Sequence, residues 1–88
     1  MNKAKIEALT REEDFPWRLR CMMALADIQG GELEEKIGVP KRVIYRIRSV
    51  DLKSNQKIRE RLVISIEMWR PGTIDMIRAA EVVGNGRK

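Results

Sequence analysis

Apolar residues recur at helical spacing through most of the chain. In residues 2–10 only Ile6 and Leu9 mark an apolar side, enough for one short helix. From Trp17 the apolar positions are Leu19, Met22, Met23 and Ala26, with Cys21, Leu25 and Ile28 widening the stripe. That is the spacing of a helix laid against a core. Pro16 suits the first turn, and Gly30-Gly31 is predicted to end the helix, because glycine accepts left-handed backbone angles. The short segment from Glu32 to Ile37 follows, stopped by Gly38. Pro40 then opens a helix whose apolar side is Val43, Ile44, Ile47 and Val50. Residues 51–55 read as a loop, with Ser54 or Asn55 as the cap of the next helix. In that helix Ile58, Leu62, Ile66 and Trp69 form one stripe. Leu62, Ile64, Ile66 and Met68 also alternate as a strand would, so a short strand in place of part of this helix stays open. Pro71-Gly72 ends the segment. Thr73 is predicted to cap a last short helix bearing Ile74, Met76, Ile77, Ala80 and Val83, with Gly84 as its stop and residues 85–88 as a tail. The expected fold is all-α: one domain over residues 1–88, a compact bundle of four to five helices, with Trp17 and Trp69 in its core.

Charge placement changes this picture more than composition does. The net charge is +5, and it is unevenly spread. Residues 1–40 hold six bases and eight acids, residues 41–61 hold eight bases against Asp51 and Glu60 alone, and residues 62–88 hold four bases and three acids. All of the positive excess therefore begins at Lys41. Basicity gathered into one segment is an electrostatic footprint for nucleic acid. The chain has no histidine and a single cysteine, Cys21, expected to be a buried small hydrophobe. It thus lacks the commonest general base and the usual zinc ligand sets. No cofactor, metal or catalytic residue is expected, and the carboxylates read as solvated faces. The N-terminus shows no long apolar stretch, and no apolar run, Leu62-Val63-Ile64 included, is long enough to cross a bilayer. A soluble, cytoplasmic protein is expected.

The segment 31–49 meets the demands of a helix-turn-helix. Leu33 and Ile37 are the inner residues of a first helix, Gly38 is the turn and Val39 plugs the gap. Ile44 and Ile47 are the inner residues of a second helix. The stretch from Glu32 to Pro40, followed by Val43-Ile44-Tyr45-Arg46-Ile47, resembles the helix-turn-helix of small bacterial and phage repressors, which carry an E-L-A-x-x-L-G-V first helix and a T-V-Y-R-I-like second. It departs from them at Glu34, where a small residue is usual. Either Glu34 leans into solvent, or the two helices cross differently.

The resemblance implies that the 40–49 helix enters the DNA major groove, with Lys41, Arg42, Tyr45, Arg46 and Ser49 on its outer face. Arg42 and Arg46 are the candidates for base reading, because arginine matches guanine bidentately. Tyr45 is expected to meet a thymine methyl or a phosphate, or else to pack partly buried. Arg48, Lys53 and Lys57 are placed for phosphates. Arg59 and Arg61 either extend that contact or are solvated. A lone motif reads few base pairs, so a homodimer on a palindromic operator is expected. Residues 56–84, through Leu62, Ile66, Trp69, Ile74 and Ile77, are the predicted pairing surface. The expected function is a transcriptional repressor in a bacterial host's nucleoid. Size alone, not any residue, brings in regulators of phage or mobile elements, among them the autorepressors beside anti-CRISPR genes. The alternatives are a protein-binding adaptor or antitoxin-like partner, and an excisionase-like architectural DNA-binding protein.

Overall fold

The computed structural model describes residues 3–49 and 53–85, with side chains as far as Glu81. Helices α1 (Lys3–Leu9), α2 (Phe15–Ala26), α3 (Gly30–Ile37), α4 (Lys41–Arg48), α5 (Gln56–Trp69) and α6 (Thr73–Asn85) follow one another. The fold is all-α, with more helices than the four to five expected. No strand occurs among the described residues, and residues 62–69 are helical throughout. The predicted roles of Asn2, Val50 and the side chain of Val83, residues 51–52 of the expected loop and 86–88 of the expected tail lie outside what is described. Among the described residues no helix is long and apolar enough to cross a membrane.

Helices α2 and α5 form the centre. α2 packs against α4, α5 and α6; α5 also carries α1 and α3. Their shared core holds Phe15, Leu19, Met22 and Met23 of α2, Leu62, Val63 and Ile66 of α5, and Ile74 and Ile77 of α6. Leu33 and Ile37 from α3, with Ile44 and Ile47 from α4, close it on the other side. This placement corrects the predicted pairing surface at four of its five residues, Trp69 alone of them staying exposed. Leu62, Ile66, Ile74 and Ile77 are at most 4% exposed within a single chain, so they are spent on the core. A chain this short has little apolar surface to spare.

Both tryptophans also differ from expectation. Trp17 is 48% exposed, and Trp69 is 37% exposed with the Lys36 ammonium 4.5 Å from its ring centroid. Cys21 is half-buried rather than buried. Indole is large and amphipathic, so it lies readily along a surface under a cation.

The helix ends explain several further differences. α2 ends at Asp27 (φ 53°), whose left-handed turn lets the Ile28 N–H donate to Met23 O at 3.0 Å and returns Ile28 to the core. Gly30 and Gly31 therefore do not stop α2; they open α3. Asn55 caps α5 as expected, its Oδ1 accepting from the Ile58 N–H at 2.8 Å. Thr73 does not cap α6. It is the first helical residue, and its hydroxyl donates to Arg70 O at 2.7 Å. The Glu67 carboxylate does the capping, accepting from Gly72 N–H at 2.8 Å and Ile74 N–H at 2.9 Å. Gly84 lies inside α6 and does not end it.

Arg59 is neither solvated nor turned outward. It is 8% exposed and donates to Thr10 O at 2.7 Å, to the Ser54 carbonyl, and to Gln56 Oε1 at 3.0 Å. It thus joins the end of α1 to the start of α5. Arg59→Met keeps the aliphatic stem and deletes these donors, leaving acceptors without partners. It should cost about 2 kcal/mol in a urea unfolding experiment.

Candidate nucleic-acid interface

Helix α4 is amphipathic over only eight residues. Ile44 and Ile47 are buried, and Val43 packs partly buried beside them. Lys41, Arg42, Tyr45, Arg46 and Ser49 are all exposed. Their spacing of one, three, one and three residues puts them on one side of the helix. The structure thus brings together five of the eight predicted site residues. Of the other three, Arg48 is half-buried, with its guanidinium 5.0 Å from the Tyr45 ring centroid. Lys53 and Lys57 are exposed before and within the first turn of α5. The Ser49 hydroxyl donates to Arg46 O at 3.1 Å and closes the end of α4.

The turn before α4 follows from Gly38 (φ 73°), which ends α3 with its N–H on Glu34 O at 2.8 Å. A side chain there would be strained in the left-handed region. Val39 is half-buried and packs on the core, as a plug between the two helices should. Pro40 then supplies its carbonyl to the amides of Val43 at 2.9 Å and Ile44 at 3.2 Å. Proline has no side-chain acceptor, so it cannot cap the helix it precedes.

Glu34 makes good that lack. Its Oε1 accepts from the Lys41 N–H at 2.9 Å, so a carboxylate on α3 caps the first amide of α4. Glu34 is half-buried, and its bond to α4 lies at the surface. It reaches across the turn and places negative charge at the positive end of the α4 dipole. At the other end of the unit, Arg61 from α5 donates to Ile37 O at 2.6 Å, finishing the C-terminus of α3. Arg61 thus makes a structural bond, but unlike Arg59 it stays exposed. The sequence does carry one signal for Glu34: a proline at a cap position means that some other residue must supply the acceptor.

A separate groove of about 790 Å³ lies between α2 and α6. Trp17, Ala24, Leu25 and Ala80 give it apolar walls, and Arg18 sits in it with ion pairs to Asp14 at 3.4 Å and to Glu81. Cys21 lines the same groove, where burial pushes its thiol pKa upward.

Comparison with protein-family models, with curated proteins and with solved structures finds no match. The case for a site rests on the geometry alone.

The Glu34 cap has a measurable cost. Glu34→Ala should lower unfolding stability by about 1 kcal/mol, the usual loss when a helix cap is removed. Glu34→Gln retains an acceptor oxygen and should lose less in the same urea titration.

Proposed function

We propose that this protein is a sequence-specific DNA-binding regulator that lays α4 in the major groove and represses transcription by occupying an operator. The observation that carries this reading is the division of α4. Ile44 and Ile47 hold it to the core, while Lys41, Arg42, Tyr45, Arg46 and Ser49 face outward together. A short helix presented this way after a glycine turn suits the helix-turn-helix mode of entering a major groove. The charge budget fits as well. Arg59 is buried, and Arg61, though exposed, is bonded to Ile37 O; the other basic side chains of residues 41–61, Lys41, Arg42, Arg46, Arg48, Lys53 and Lys57, are exposed or half-buried. In this reading Arg42 and Arg46 read bases, and Lys53 and Lys57 position the chain on phosphates.

A regulator needs two half-sites to single out one operator, so the reading includes a homodimer. Its pairing surface moves from the predicted residues to the α2–α6 groove, where Trp17 and Leu25 are 48% and 43% exposed. The groove's own charges, Arg11 and Arg18 against Asp14 and Glu81, balance. Two such faces therefore meet without the repulsion that two basic faces would impose. The setting proposed is the bacterial cytoplasm, on phage or mobile-element DNA.

Selection of bound fragments from a random duplex pool tests binding, palindromy and spacing at once. The expected result is a symmetric site. About six phosphate contacts should make log affinity fall with log salt at a slope of roughly −5. Arg46→Ala should cost about tenfold or more on the selected site. Lys57→Ala should instead weaken binding to all duplexes and reduce the salt slope by about one. Recovery of no sequence, together with stable capture of one protein, would favour the adaptor alternative. Trp17→Glu should shift the sedimentation behaviour from dimer to monomer while leaving the helical circular dichroism intact.

A further inference from the structure

Gly30 and Tyr45 lie fifteen residues apart and meet at the N-terminus of α3. The Gly30 N–H donates to the Tyr45 hydroxyl oxygen at 3.3 Å. The ring lies so close that a Cβ added to Gly30 would fall 2.9 Å from Cζ, 3.0 Å from Cε2 and 3.2 Å from the hydroxyl oxygen. The neighbouring Gly31 has nothing within 4 Å of the same built atom. Two adjacent glycines in one helix thus have opposite surroundings. The Arg48 guanidinium covers the ring at 5.0 Å, so the phenol is held between the start of α3 and the end of α4.

α4 is therefore fastened to α3 at two places: its first amide on Glu34, and Tyr45, one turn further on, against Gly30. Arg42 stands three residues before Tyr45 and Arg46 one residue after it, so any rotation of α4 about the first fastening moves both arginines. Base reading tolerates displacements of only about 0.5 Å and 10–20°.

We infer that Tyr45 and Gly30 form a positioning pair that sets the aim of α4 and so determines which DNA sequence it prefers. This rests on the DNA-binding reading above. It moves Tyr45 from the residues that contact DNA to those that orient the contacts, and it gives Gly30 a role in specificity. The atoms an added methyl would displace are at the far end of a side chain that can swing outward, and alanine favours helix more than glycine does. Gly30→Ala should therefore fold, with the aim of α4 altered.

The test compares wild type, Gly30→Ala, Gly31→Ala, Tyr45→Ala, Tyr45→Phe and the Gly30→Ala/Tyr45→Ala double variant. Each is titrated, at one salt concentration, with the duplex selected by wild type and with a scrambled duplex of equal length. Gly31→Ala should match wild type. Gly30→Ala should lose about tenfold in preference for the selected duplex while binding the scrambled one as before, and Tyr45→Ala should lose at least as much of that preference. The double variant should be no worse than Tyr45→Ala, because both changes undo the same contact. Tyr45→Phe keeps the ring in place and should keep most of the preference. Unchanged preference in Gly30→Ala, equal loss on both duplexes, or losses that multiply in the double variant would each overturn the role of the pair. A wild-type chain that prefers no duplex overturns the regulator reading itself, a result distinct from failure of the pair.

Discussion

A helix of eight residues is nearly all ends. Each α-helix leaves four N–H groups and four carbonyls without partners in its own backbone, and α3 and α4 have only eight residues apiece. This chain meets that demand largely by sending charged side chains from one helix to the end of another. Glu34 serves the start of α4, Glu67 the start of α6, and Arg61 the end of α3. Arg70 donates to Ala26 O at 3.2 Å, serving the end of α2. Arg59 does the same for the carbonyl just past α1. For Glu34, Glu67, Arg61 and Arg70 the sign agrees with position, carboxylates at N-termini and guanidinium groups at C-termini, as the helix dipole favours; Arg59 also reaches the start of α5.

This use of charge explains why composition alone overstates the basic face. Residues 41–61 carry eight bases, yet two of them are structural. The bonds that commit them span up to 49 residues, in the case of Arg59 and Thr10. No local pattern records a partner so distant. Local patterns did carry the elements that depend on neighbours: the Gly38 turn, the inner pairs Leu33 with Ile37 and Ile44 with Ile47, the Asn55 cap, and the exposed side of α4. What escaped depended on competition between equally plausible local solutions. Gly30-Gly31 offered the expected stop for α2, but Asp27 tolerates the left-handed region well enough to end the helix three residues earlier, where Ile28 can turn back inward.

The apolar stripes show the same limit. Periodicity identifies that α2, α5 and α6 each have a side to bury, but not whether another helix of the same chain or a second chain buries it. Here the chain's own packing takes Leu62, Ile66, Ile74 and Ile77. Left exposed are Trp17 and Leu25 of α2, which read as ordinary members of the core stripe, together with Met68 and Trp69 of α5 and Met76 of α6. At about 3.6 residues per turn Trp17 lies on the side of α2 opposite the buried Phe15, Leu19 and Met22.

Dividing labour within α4 also bears on how such a chain can change. The side chains that anchor it point inward, and the carboxylate that starts it belongs to α3. Its outward positions, Lys41 and Arg42 among them, fill none of the core. The alphabet at Lys41 and Arg42 is therefore open to substitution without loss of the core, whereas Tyr45 and Ser49 hold contacts of their own. On the DNA-binding reading proposed above, a lineage built on this chain could acquire a new target by altering a few surface codons, with the fold carried through unchanged.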